Sequence, residues 1–226
     1  SSDVCSSDLD KIFKNHNINT SNFKYLNDEE FVPLYSGISK WLIPGDYRGN
    51  WLRQQAIKLA CLDYLDHNVM LIQDPDTFAI HDYQCWDGTA LNFLVLPNTT
   101  HARGYYEVLN NALGITRQTP HCFVTEFGPC LKQDIAALKQ HIESKHNCDW
   151  LSALIDCVPY ESTFNLNQPD ELVKWFSEYE LLGNWTMSRR QLNLTDQKRF
   201  EYKFLDQLQE ISTAYHFVAD AMPMGQ

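Results

Sequence analysis

The strongest constraint on how this chain can fold is the stretch Val69-Met70-Leu71-Ile72-Gln73-Asp74-Pro75-Asp76, an apolar run that ends in two carboxylates one residue apart. Four consecutive aliphatic residues with no helical period, followed by a proline, predict a buried central β-strand. Side chains of an extended chain alternate faces, so Asp74 and Asp76 are expected on the same side of the strand's end. Two carboxylates so placed can share one hard divalent cation, and open α/β sheets bind ligands at the carboxyl ends of their strands. Asp-Pro-Asp is also ordinary turn chemistry, and the motif alone does not separate the two readings.

Around this strand the pattern alternates. Pro44-Gly45-Asp46 marks a break. Leu52, Ala56, Leu59, Ala60 and Leu62 then recur at helical spacing, which predicts a mostly buried helix over 51–65. Further strands are expected at 78–80, 91–96 and 121–127. Helices are expected over 103–113, closed by Gly114, over 132–145, over 149–158, and from Pro169 onward. Glu178 and Glu180 fall near the expected end of a helix, with Gly183-Asn184 as its stop signal. Helices alternating with short strands argue an α/β fold with a mixed sheet.

A length of 226 residues, 44% of them hydrophobic, is enough for one domain with a substantial core. The net charge is −11 and no Lys/Arg cluster forms a basic patch, which argues against free nucleic acid as a partner. An acidic protein can still bind an anionic nucleotide when a metal ion bridges the two. Seven cysteines, odd in number and without a Cys-x-x-Cys pair, point to a reducing, cytoplasmic setting and no structural zinc. No run reaches the ~18–20 apolar residues of a membrane helix, and no secretory leader is expected. Residues 3–9, Asp-Val-Cys-Ser-Ser-Asp-Leu, resemble a translated sequencing-library adapter. Residues 1–9 are therefore set aside as an expected artefact, and residues 10–226 are taken as a single domain.

Several motifs occur in one order: Trp51-x-x-Gln54-Gln55-x-x-Lys58-Leu59, Asp74-Pro75-Asp76-Thr77, Leu113-Gly114, Phe123-Val124-Thr125, and Ser177-Glu178-Tyr179-Glu180-x-x-Gly183-Asn184. Over roughly residues 45–185 this order resembles a bacterial family of glycosyltransferase-like proteins with the GT-A fold, linked to surface polysaccharide synthesis. The resemblance implies a GT-A-like, Rossmann-related mixed sheet flanked by helices. The segment ahead of Pro44 is short for the base-binding βαβ unit that opens such a domain, so that unit is expected to be incomplete.

By the same resemblance, Asp74-x-Asp76 is a metal–diphosphate motif. Asp76 would coordinate Mn²⁺ or Mg²⁺, and Asp74 would reach the metal through water or hold the ribose hydroxyls. A divalent cation neutralises the charge that develops on a departing nucleoside diphosphate. A late histidine, His216, is the implied further metal ligand. Gln54 and Lys58 are spaced i,i+4 and Gln55 and Lys58 i,i+3, so they share one helical turn from which a phosphate or sugar hydroxyl is reachable. A solvated helix edge, with the lysine stem covering apolar neighbours, is the plainer alternative. Asp87 reads as a turn residue that the resemblance puts near the donor sugar. Glu178, Glu180 and Glu126 are candidate general bases, able in principle to take the proton of an acceptor hydroxyl or simply to bind it.

The implied function is transfer of a sugar from a nucleotide-sugar, a UDP-sugar first among them, to a hydroxyl acceptor such as a surface glycan. The location would be cytoplasmic, compatible with peripheral attachment at the inner face of the membrane. Two rivals stand beside it. One is a non-catalytic GT-A-like module that binds a glycan or a partner. The other is a haloacid-dehalogenase-like phosphatase, whose Asp-x-Asp wants Thr or Val two places after the second Asp, where this chain has Phe78.

Overall fold

A computed structural model describes residues 47–74, 77–79, 83–97, 103–158, 176–197, 200–201 and 218–220. Helix α1, Tyr47–Cys61, buries Leu52, Gln55, Ala56, Leu59 and Ala60 along one face and ends in a 3₁₀ turn at Leu62–Tyr64. Its last turn is held from outside. The buried Lys139 ammonium donates to the Leu59 carbonyl at 3.0 Å and to Asp63 at 2.6 Å, meeting carbonyls that a helix end leaves unpaired.

Strand β1, Val69–Gln73, stands where the apolar run predicts it, but it is half-buried rather than fully buried. Met70 and Ile72 face the core while Leu71 is 38% exposed. Its one partner among the described residues is antiparallel, β4 at Phe127–Leu131, with Gln73 opposite Phe127. Strand β2, Thr77–Ala79, overlaps the expected 78–80 strand, and β3 spans Asn92–Val95. Strand β5, Asn193–Asp196, lies parallel to β3; β6, Phe200–Glu201, and β7, Val218–Asp220, form a small sheet with β2.

The chain is thus mixed α/β, with three small sheets among the described residues where one mixed sheet was expected. The expected strand over 121–127 is also displaced. Residues 121–126 are irregular, with a bridge between Leu96 and Cys122, and the strand starts at Phe127. Gly128 and Pro129 look like breakers in sequence, yet they lie inside β4. Gly128 is there because the Tyr179 ring packs on the strand: a Cβ at this position would come within 2.8 Å of it.

Helix α2, Arg103–Val108, runs into a π turn at Leu109–Leu113 and stops at Gly114, whose φ of 71° fits the expected glycine stop. Helix α3, Lys132–His146, stands where a helix over 132–145 is expected, buries a stripe of Ile135, Leu138 and Ile142, and ends at left-handed Asn147. Helix α4, Trp150–Cys157, is capped by Asp149, which accepts from the Ser152 amide at 2.9 Å. That bond holds the Asp149 carboxyl below its ordinary range, so its contribution is present above pH ~4 and lost as the pH falls through the native value. Asp149→Ala is expected to remove about 1 kcal/mol at pH 7, with a smaller difference near pH 2. Urea unfolding at the two pH values checks it.

Helix α5, Glu178–Arg189, is the buried centre of the described fold: every residue from Glu178 to Thr186 is buried. This corrects the expectation that Glu178 and Glu180 lie near a helix end. They open the helix, with Ser177 as its N-cap, the hydroxyl accepting from the Glu180 amide at 3.4 Å. Ser177-Glu178-Tyr179-Glu180 is an S-x-x-E capping signature. Gly183 sits mid-helix because the Phe123 ring lies against it. Asn184 continues the helix and uses its amide internally, donating to the Glu180 carboxylate and accepting from the Gln118 amide, each at 2.8 Å. The helix expected from Pro169 lies outside the described residues. Among the described residues no helix is long and apolar enough to cross a membrane.

Candidate functional site

Three elements deliver charge to one place. Lys58 comes from the last turn of α1, Asp74 from the residue after β1, and Glu178 from the first turn of α5. The Lys58 ammonium donates to Asp74 Oδ1 and, at 2.7 Å, to Glu178 Oε1. It lies 4.9 Å from the centre of the Tyr179 ring, within cation–π range. With its amide nitrogen turned toward Glu178, Gln55 donates to both carboxylate oxygens, 2.7 Å from Oε1. The side chains of Lys58 and Asp74 retain 13% and 21% exposure, and that of Glu178 only 1%.

Burial lowers the Lys58 pKa, but the charges of Glu178 and Asp74 outweigh it and hold the amine above its ordinary value. Burial pushes the Glu178 carboxyl up, and the Lys58 ammonium opposes that rise. The three groups together carry one net negative charge, in surroundings where an unpaired charge is expensive. Tyr179 completes the floor; burial first, then Glu178 and Asp74, push its phenol upward.

Gln55, Lys58, Asp74 and Glu178 are therefore brought together. Glu126 adjoins them: its carbonyl accepts from the Asp74 amide at 3.2 Å, extending the β1–β4 ladder by one step. Its φ of 58° is a left-handed conformation that side-chain-bearing residues seldom adopt. Such positions cluster at functional sites.

Other expected residues fall elsewhere. Gln54 is exposed on α1 and is absent from the cluster. Glu180 is two residues beyond Glu178, about 200° around the helix, so the two point apart. It is buried, accepting from the Phe123 amide at 3.1 Å and from Asn184 at 2.8 Å. In this arrangement it fixes the 122–125 segment against α5, apart from the cluster around Lys58. Asp87 is exposed and folds its own turn, accepting from the Thr89 amide and hydroxyl and the Ala90 amide, each at 2.8 Å. Those bonds bring its pKa down to about 2. It also accepts from Asn193 at 3.0 Å, tying the turn to β5. Asp76 and His216 lie outside the described residues.

Glu178 itself is sealed. With no exposure and with Lys58 and Gln55 on its oxygens, it cannot meet an acceptor hydroxyl in this arrangement. Of the three carboxylates expected as bases, Glu126 is the one that is not fully buried. Nor do Asp74 and Glu178 fit a divalent cation as they stand, because an ammonium already bridges their facing oxygens. Among the described residues no group of three His, Cys, Asp or Glu side chains is placed to hold a metal. Sequence reading missed Tyr179 and Ser177, although the S-x-x-E signature was available to find the helix start.

Fold and site together define a mixed α/β protein with a partly open ion-pair cluster where a strand end meets a buried helix start. By sequence the chain belongs to a family of unknown function, DUF6492, whose model matches residues 8–219. Comparison with curated proteins gives no match, and neither does comparison with solved structures.

Proposed function

We propose that this chain is a GT-A-type glycosyltransferase, moving a sugar from a nucleotide-sugar, with UDP-sugars the first donors to test, to a hydroxyl of a surface glycan or similar acceptor. The observation that carries the reading is the convergence of Gln55, Lys58, Asp74 and Glu178 from separated parts of the chain at the end of β1. Perturbed, partnered ionisable groups concentrated in one partly open place are characteristic of functional sites. The order of motifs in the sequence supplies the reaction class. In this reading Asp74 and Lys58 face the donor. Glu126, beside them and not fully buried, takes or binds the proton of the acceptor hydroxyl. The divalent cation that the resemblance implies, Mn²⁺ or Mg²⁺, belongs to the proposal, with Asp76 as the ligand to test.

Titration calorimetry of UDP into the chain, with and without Mn²⁺ and beside Asp76→Ala, tests the reading. Binding that needs both the metal and Asp76 is expected. Metal-dependent binding retained by folded Asp76→Ala, or no UDP binding by the folded natural chain, overturns it. A non-catalytic glycan-binding module is the second reading, favoured by the burial of Glu178 and Glu180. Turnover separates them: slow hydrolysis of a UDP-sugar, lost in Glu126→Gln, belongs only to an enzyme.

A further inference from the structure

The Lys58 ammonium stands between two carboxylates that come from different elements, and each bond it makes is short and charge-assisted. A lysine on α1 could have carried its charge outward, as lysines usually do. Instead its side chain is 13% exposed, and its ammonium lies over the Tyr179 ring while it bonds Asp74 and Glu178. Gln55 saturates the far side of Glu178 with a second donor. Lys58 and Gln55 are donors to the Glu178 carboxylate, Asp74 faces it with the same sign, and the one positive charge among these partners is Lys58.

We infer that Lys58 is a positioning residue that acts as an internal cation: it occupies the place between Asp74 and Glu178 that a bound divalent metal would otherwise neutralise. The ammonium clasps the end of β1 to the start of α5 and competes with any metal for the Asp74 oxygen. Metal is then admitted to Asp74 only as Lys58 yields it. Carboxylate oxygens freed of an ammonium are the ligands that Mn²⁺ favours. The inference uses the site of the proposed function but does not depend on its nucleotide, and its test contains none.

Mn²⁺ alone is titrated into the full chain and into Lys58→Met, followed by the loss of the free-Mn²⁺ electron paramagnetic resonance signal. Lys58→Met is expected to bind at least about tenfold more tightly than the natural chain, since a neighbouring charge is worth that much even under substantial screening. Lys58→Arg, which keeps a cation in place, is expected to stay within about threefold of the natural chain. The double variant Lys58→Met/Glu178→Gln should lose most of the gain, which locates the bound ion at this pair. A folded Lys58→Met with unchanged or weaker Mn²⁺ affinity overturns the inference, as does an equal gain in Lys58→Arg or a gain that persists in the double variant. Should Lys58→Met be unfolded, millimolar Mn²⁺ is expected to restore its fold, read by circular dichroism; failure to do so overturns the inference. Absence of UDP binding would sink the transferase reading and leave this result standing.

Discussion

Replacing Lys58 with methionine is expected to remove about 3–5 kcal/mol of stability at neutral pH, the usual consequence of taking one partner from a buried ion pair. The loss arises less from the missing bonds than from what they leave behind: Glu178, fully buried, loses its one cationic partner and keeps neutral donors, and Asp74 stands near it with the same sign. The pH dependence has a definite sign. Burial already pushes the Glu178 carboxyl up, and removing the ammonium removes what opposes that rise. The native variant would then hold a proton that the unfolded chain releases near pH 4.3. A group with a raised native pKa contributes most stability below its unfolded value and loses it as the pH rises through the native value. The deficit of Lys58→Met against the natural chain should therefore be smaller at pH 5 than at pH 8. Urea unfolding at both values measures it, and equal deficits would mean that Glu178 does not become the uncompensated charge. In the natural chain Lys58 itself has a raised pKa, so its share of stability is present below the unfolded value, ~10.4, and is lost as the pH rises through the native value above it.

Gly183→Ala is the second large effect, and its sign opposes simple helix propensity. In an exposed helix interior alanine is about 1 kcal/mol better than glycine. At this position the added Cβ would lie 2.2, 2.4 and 2.5 Å from carbons of the Phe123 ring, well inside van der Waals contact. The ring has no easy escape, being fully buried and set edge-to-face against Phe93 with centroids 5.3 Å apart. Overpacking of this kind costs about 1–3 kcal/mol, and the upper end is expected because backbone and ring are both confined. Thermal unfolding decides the matter. A rise in Tm would mean that Phe123 swings aside freely and that propensity governs the position. Because Phe123 donates its amide to Glu180, a forced shift would also pull on the start of α5, which carries Glu178 into the cluster.

The sequence by itself determined the elements whose signals are local. The β1 run, the glycine stop after Leu113 and the stripe of Ile135, Leu138 and Ile142 all follow from hydrophobic period or cap chemistry within a few residues. It also singled out Gln55, Lys58, Asp74 and Glu178 one by one, through their spacing and the order of motifs. Tertiary structure decided what those local signals could not contain. Gly128-Pro129 and Gly183-Asn184 look like breaks, yet each pair lies inside a regular element. The two glycines sit where an aromatic ring from elsewhere, Tyr179 on one and Phe123 on the other, needs the space a side chain would fill. That Glu178 is sealed while Glu180 holds the Phe123 amide follows from which side of a fully buried helix each carboxylate faces, and a helix buried all round has no amphipathic stripe to announce it. The meeting of Lys58 with Glu178 spans 120 residues of chain, a pairing fixed only when α1, β1 and α5 pack together and a buried charge must find its partner.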